Sequence, residues 1–334
     1  MDKGDENKYK QNRVLMDTSL AIVIPAYKRE FLHETLKSIA NQTCKDFNLY
    51  IGDDCSPDNL KKIVDDFHFP FPVTYKKFDE NVGSVSLVKQ WERCIALTKH
   101  EKWMWLFSDD DVMGERCVEL FYESLNNLKQ EEKYDLFHFD VKIIDKYSDI
   151  IGTRPEYPQN WSSFQFYQGI TSCRYCNAAT EYIFSREIYT LENGFIDFDL
   201  GWGSDIATWA KFASRHGIHT LYGDYVYFRD SGVNITSDHS AHILSRKMLA
   251  LLDFYKWSVS FFGNSEELFQ TNYVYYNLRL HFFKFCDLNW FSYIRKFHKI
   301  HGNGRISLLT RDLVLVFLFK LKAKIIKNNN CNIL

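Results

Sequence analysis

Residues Trp103 to Phe107 form an apolar run that passes through Ser108 into three consecutive carboxylates, Asp109, Asp110 and Asp111. A strand that carries two tryptophans into a core does not place three acids at its exit without compensation. Neighbouring carboxylates repel, and burying one unpaired costs several kcal/mol. A divalent cation is the usual remedy. Hard oxygen ligands suit Mg²⁺ or Mn²⁺, which are held by one or two carboxylates together with substrate phosphates. The competing reading is a solvated acidic turn in which Asp110 or Asp111 caps the following helix.

Other polar clusters stand at comparable places. Leu20 to Ile24 is a short apolar run closed by Pro25-Ala26-Tyr27, and Phe47 to Ile51 is closed by Gly52-Asp53-Asp54. Val73 to Phe78 precedes Asn81-Val82-Gly83. Between these runs the apolar residues recur at helical spacing: Leu32, Leu36 and Ile39; Leu60, Ile63, Val64 and Phe67; Val85 to Leu97; Cys117 to Leu128. A fifth strand is expected over Asp135 to Ile144. Strand and helix in alternation imply an α/β fold, a mostly parallel sheet sandwiched by helices. In such sheets ligands bind at the carboxyl ends of the strands, where the four polar clusters fall. Tyr27, at one such end, could stack on a base. The turn chemistry of Asp53 to Asp58 suits Asp53 to bracing its own loop.

The chain of 334 residues has a net charge of −2, which gives no basic footprint for nucleic acid. Aromatic residues make up 17%, in keeping with a large core or with surfaces that touch sugars or membrane. Residues 1–17 are polar, without an apolar leader core, and read as a disordered tail. No apolar run reaches the roughly 18 residues of a membrane span, so the expected location is cytoplasmic. The eight cysteines are scattered except for Cys173-Arg174-Tyr175-Cys176, which lacks the second pair of a zinc site. From about His239 onward helical spacing prevails, which predicts a helical C-terminal extension over 238–334.

Taken together, Ile22 to Tyr27, Leu36 to Thr43, Ile51 to Ser56, Asn81-Val82-Gly83 and Ser108 to Asp111 resemble, in order and spacing, the family-2 glycosyltransferases. The resemblance covers about Ser19 to Leu128 and thins beyond it to Ser204-Asp205 and the segment from Arg229 to Thr236. It implies a Rossmann-like GT-A nucleotide-sugar fold over 18–237, with a nucleotide-binding half (18–145) and an acceptor half (146–237). By this likeness Pro25, Ala26, Tyr27, Asp54, Asn81, Gly83, Asp109 and Asp110 contact the nucleotide, with Asp54 accepting from the uracil imide N–H. The triplet resembles the family's DxD motif, which implies Asp111 and Asp109 as ligands of Mn²⁺ or Mg²⁺. The register between Asp110 and Asp111 stays open, because Glu115 stands where the family often has proline.

The resemblance also implies transfer from a UDP-sugar to a glycan or lipid-linked acceptor in the synthesis of a surface polysaccharide or lipopolysaccharide. Asp205 stands where the family has a catalytic acid at a helix start, so it is assigned as the general base; one base and no nucleophile imply inversion. Asp197 and Asp199 are the nearest alternative carboxylates. Arg229 and His239 could meet phosphate or metal, and Trp202, Trp209 and Ser204 could meet the acceptor. Each of these also has a structural reading: core packing for Trp209, an N-cap for Ser204. A silent nucleotide- or glycan-binding module on the same fold is the rival reading. A nucleotidyltransferase is a weaker one, since Pro25 to Arg29 lacks a glycine-rich loop. Finally, Leu313 to Phe319 is too short to span a bilayer but is flanked by Arg305, Arg311, Lys320, Lys322, Lys324 and Lys327. That pattern suits an interfacial helix on an anionic membrane, on the inner face, as well as a bundle helix with a basic face.

Overall fold

A computed structural model describes residues 20–129, 133–232, 238–280, 286, 288–302 and 308–318. The tail over 1–17, Asn234, Thr236, Arg305, Phe319 and the lysines from Lys320 onward lie outside the described residues.

Strands β1 (Leu20–Ala26), β2 (Phe47–Asp53), β3 (Val73–Lys77) and β4 (Trp103–Leu106) run parallel in the spatial order β3-β2-β1-β4. They are linked by helices α1 (Leu32–Ala40), α2 (Leu60–Asp65) and α3 (Leu87–Ile95). Their apolar runs follow from burial on both faces. In β1, Leu20, Ile22 and Ile24 point into one apolar layer while Ala21 and Val23 point into the other; in and just after β4, Trp105 and Phe107 oppose Met104 and Leu106.

The second half is less regular. After β5 (Val112–Met113) and α4 (Cys117–Asn127) come β6 (Leu136–Ile144), β7 (Ile150–Thr153), β8 (Asn160–Trp161), α5 (Ser163–Thr171), β9 (Tyr182–Ser185), α6 (Arg186–Leu191), α7 (Ser204–Phe212) and β10 (Ile218–Arg229). The sheet continues from β4 as β9-β6-β10-β5. Strand β9 is antiparallel to both β4 and β6, and β10 is parallel to β6, so β6 and β10 regain the direction of β1. A short 3₁₀ turn, Ala179–Glu181, leads directly into β9.

From Ala241 on, the described elements are helices: α8 (Ala241–Phe262), α9 (Glu266–Arg279) and α10 (Trp290–Ile300), with residues 308–318 also helical. They share one apolar layer with the sheet, which holds Ala21 and Val23 together with Phe254, Tyr276 and Phe297. The Tyr276 and Phe297 rings stack 3.9 Å apart. Buried polar bonds fix the packing: Tyr167 donates to Asn272, which donates to the Ser258 hydroxyl at 2.9 Å, and Asp312 accepts from Tyr273 and contacts His298 at 2.9 Å. Among the described residues no helix is long and apolar enough to cross a membrane.

Because the layer is shared, the helices and the sheet are expected to melt together. Phe254 is fully buried and its ring stacks on Tyr167 of α5. Phe254→Ala should cost about 3–5 kcal/mol and lower the melting temperature of a single calorimetric transition. Two separated transitions would show that α8 to α10 fold on their own.

Candidate active site

The carboxyl ends of β1, β2 and β4 are stitched into one rim. Asp54 N–H donates to the Ala26 carbonyl, Ser56 hydroxyl to the Tyr27 carbonyl, and Phe107 N–H to the Val23 carbonyl. The acids of the triplet leave this rim in three directions. Asp109 accepts the backbone N–H groups of Tyr27 and Lys28, each at 2.7 Å. Asp111 is 1% exposed and accepts the Arg229 N–H at 2.8 Å. Asp110 is the most open of the three and meets the Lys28 ammonium at 3.3 Å. Burial, and then the charge of Asp110, push the Asp109 carboxyl up to about 6 and that of Asp111 to about 7. Asp111, expected as the main metal ligand, is thus turned into the protein.

Helix α1 explains how the segment after β4 is held. Thr35, Ser38 and Gln42 lie on one face of α1 and its end, at helical spacing. The Thr35 hydroxyl donates to the Asp111 carbonyl at 2.7 Å, the Ser38 hydroxyl accepts Met113 N–H at 3.0 Å, and the Gln42 amide donates to the Gly114 carbonyl and accepts from Val118. All three side chains are buried. The motif residue Gln42 is therefore a clamp on the acidic loop.

Arg229 completes that clamp. Its side chain is fully buried and donates to the carbonyls of Asp110 and Asp145, each at 2.8 Å, and to Glu34 at 2.7 Å. The expectation of a phosphate ligand is corrected: the guanidinium is committed to the backbone of the triplet. His239 lies exposed before α8.

At the end of β2 both acids are braced. Asp53 accepts Ser56 N–H at 2.7 Å and the Tyr75 hydroxyl. Asp54 is 4% exposed; it accepts Val82 N–H at 2.8 Å and Gly83 N–H at 2.9 Å, and pairs with Arg93. These donors leave one carboxylate lone pair of Asp54 for a ligand. Asn81 turns the same loop by accepting Ser84 N–H at 2.8 Å. Tyr27 is exposed at the rim, beside Pro25 and Ala26.

Away from this rim, Gly203 takes φ of +85° at the N-cap of α7 and places Asp205 in the first turn. Asp205 is partly exposed; Asn177 donates to it at 2.6 Å and Ile206 N–H at 2.9 Å. Burial raises its carboxyl to about 6 against those two donors. Ser204 is fully buried and accepts Phe198 N–H at 2.9 Å, so it neither caps α7 nor reaches an acceptor. Trp209 is core, while Trp202 is half-buried with Lys247 over its ring at 4.6 Å. Asp197 is tied to Ser86 and Asp199 to Arg246. Cys173 and Cys176 are exposed free thiols.

Residues 21–133 match the family model described as glycosyl transferase family 2. This segment is similar to a family-2 glycosyltransferase domain. A Haemophilus influenzae protein described as an uncharacterized glycosyltransferase is 31% identical over 100 residues, 29% of this chain and 32% of that one. The teichoic acid poly(glycerol phosphate) polymerase of Staphylococcus epidermidis is 31% identical over 114 residues, 32% of this chain and 15% of the polymerase. The matches thus span a third or less of these relatives. The structure is similar to residues 1–349 of S. aureus TarS, with a TM-score of 0.62 at 12% identity, covering 94% of this chain and 92% of that one. The same region of TarS in complex with UDP-GlcNAc gives 0.63 at 13% identity, with the same coverage. The fold is GT-A.

Several residues of the candidate site escape sequence reading. Lys28, Arg93, Asn177 and Glu181 carry no motif, and each meets its charged or polar partner only through the fold. Glu181 is buried against His138 at 3.2 Å and Arg154 at 2.8 Å. Burial pushes its carboxyl up to about 8 and the His138 imidazole down to about 3.

The Asp54 clasp leads to a direct test. A Cβ at Gly83 would lie 2.4 Å from Asp54 Oδ2. Gly83→Ala should break the N–H bonds from Val82 and Gly83 and destabilise the domain by about 1–3 kcal/mol in urea unfolding. An unchanged midpoint would show that the loop relaxes freely.

Proposed function

We propose that this chain transfers a glycosyl unit from a nucleotide-diphosphate sugar, a UDP-sugar foremost, to a hydroxyl of a glycan or lipid-linked acceptor, with inversion. The observation that carries this reading is the rim where Tyr27, the Asp54 loop and Asp110 sit together, with the partly exposed Asp205 carboxylate held by Asn177 at the start of α7. The TarS complex with UDP-GlcNAc supports a UDP-linked donor. The likeness to a teichoic acid polymerase supports an acceptor of the cell-surface polymer class.

In this reading Tyr27 stacks on the base and the last lone pair of Asp54 accepts the imide N–H. The loop of Asn81 and Gly83 lets backbone approach the nucleotide. Asp205 takes the proton of the attacking hydroxyl. The residues present also fit a divalent cation, Mn²⁺ or Mg²⁺. The triplet already draws a cationic ammonium to Asp110, and among the described residues no group of three or more potential ligands converges. Such a donor set suits a cation that takes its remaining ligands from phosphate and water. We assign Asp110, rather than Asp111, as the principal side-chain ligand, with Asp109 beside it. When bound, the cation offsets the charge that develops on the diphosphate leaving group.

The outward face of helical residues 308–318 exposes Val314, Phe317 and Leu318, and α10 exposes Phe291, Arg295, Lys296 and Lys299. We propose that this side meets the anionic inner face of a membrane reversibly, near a lipid-linked acceptor.

Three outcomes are expected. Calorimetry should show UDP binding with Mn²⁺ or Mg²⁺ and weaker binding in EDTA, with Asp110→Asn losing the metal dependence; equal affinity throughout would end the metal reading. Asp205→Asn should keep donor affinity and cut transfer about 10²–10⁴-fold. Because the base must be ionised, the wild-type rate should fall as pH drops below about 6. Transfer at wild-type rate by Asp205→Asn, or none by the wild type with any donor, would favour a non-catalytic module. In flotation, vesicles of phosphatidylglycerol should recover the protein at low salt and release it at high salt. Equal recovery on neutral vesicles would contradict the electrostatic docking.

A further inference from the structure

We propose that Asn177 is the positioning residue for the Asp205 carboxylate, held in register by the hydroxyl of Tyr182. The inference rests on Asp205 being the base. Asn177 Nδ2 donates to Asp205 Oδ2 at 2.6 Å, while Ile206 N–H donates to Oδ1 at 2.9 Å. One donor on each oxygen fixes the carboxylate plane and leaves each oxygen a second lone pair for the incoming proton. A freely rotating carboxylate loses that alignment, and small misplacements cost large factors in rate.

The amide itself is held from behind. Tyr182 hydroxyl donates to Asn177 Oδ1 at 2.8 Å, which orients the amide with its NH₂ toward Asp205. Tyr182 is fully buried in β9, and its ring stacks 4.8 Å from Trp209. Trp209 lies on α7, the helix that carries Asp205. The contacts therefore close a circuit: α7 to Trp209, to Tyr182, to Asn177, and back to Asp205 on α7. A circuit of this kind ties the carboxylate to its own helix through a second path and resists rotation of the side chain.

The charge environment gives the amide a second effect. The groups facing Asp205 are Glu181 of the 3₁₀ turn, Tyr182 of β9 and Tyr275 of α9, with Arg279 over the Tyr275 ring at 4.8 Å and Arg154 and His138 bonded to Glu181. Burial and Glu181 push the Asp205 carboxyl up, and the Asn177 N–H opposes them. Asn177 thus keeps the base ionised near neutrality as well as aimed.

The test is a carboxyl ¹³C NMR titration of the full chain, with the Asp205 resonance assigned by its loss in Asp205→Asn. It is run on wild type, Asn177→Leu and Tyr182→Phe, beside UDP release from UDP-N-acetylglucosamine with Mn²⁺. Asn177→Leu should raise the Asp205 midpoint by about one pH unit. It should lower kcat about tenfold with KM unchanged, as expected for a residue that orients the base and does not touch the donor. Tyr182→Phe keeps the ring and should move midpoint and kcat part of the way, which decides the matter if Asn177→Leu fails to fold. An unmoved midpoint and wild-type kcat in both variants, with Asp205→Asn inactive, would overturn the positioning role alone. Wild-type turnover by Asp205→Asn would instead remove the base and the inference with it.

Discussion

Three adjacent carboxylates at the end of a buried strand set the terms for the surrounding structure. Asp109, Asp110 and Asp111 cannot all be ionised side by side in a dry place, and they cannot all face water because β4 lies inside the sheet. The fold separates them. Asp109 is satisfied by two N–H groups at the exit of β1, Asp111 by the N–H of Arg229 at the end of β10, and only Asp110 is left toward a cation. Helix α1 must then present Thr35, Ser38 and Gln42 to hold the loop, and Arg229 must be buried to tie Glu34 to the triplet backbone. The buried polar residues of this half hold Asp109 and Asp111 on backbone N–H groups and leave Asp110 to meet the Lys28 ammonium.

The two halves of the site are joined through β9. That strand is wedged antiparallel between β4 and β6, and the 3₁₀ turn before it sets Thr180 beside Asp111 and Glu181 beside Asp205. The Trp105 indole N–H donates to the Thr180 carbonyl at 2.8 Å, so the strand that ends in the triplet also holds the turn that borders Asp205. The triplet and Asp205 are therefore linked through the sheet.

Much of this was legible beforehand, and for a physical reason. Strands buried on both faces read as short apolar runs, so β1, β2, β4 and β6 and the helices between the first four strands stand out, as do the polar clusters at their ends. The Leu36 to Thr43 motif was visible, but its purpose was not: the role of Gln42 depends on a loop 72 residues away. The short strands β5, β7 and β8 carry too few residues to show a period, and β9 lies in a stretch rich in aromatic and polar residues. For Arg229 the sequence left a phosphate ligand and a structural residue both open, because a basic residue after a strand looks available to phosphate until its burial is known. Asn177 and Asp205 are 28 residues apart and carry no joint spacing signal. Pairs of this kind are set by tertiary contacts alone.

Gly203 has a consequence for inherited variation. It adopts a left-handed φ of +85°, and a Cβ there would sit 3.1 Å from the Phe254 ring. Every amino acid that a single base change can put in place of glycine brings that Cβ. The position is two residues from Asp205 and has no side chain to do chemistry, yet no missense change at its codon is conformationally free. Under the proposed role of Asp205, a change at this codon would look like a structural mutant in sequence and like a catalytic mutant in phenotype.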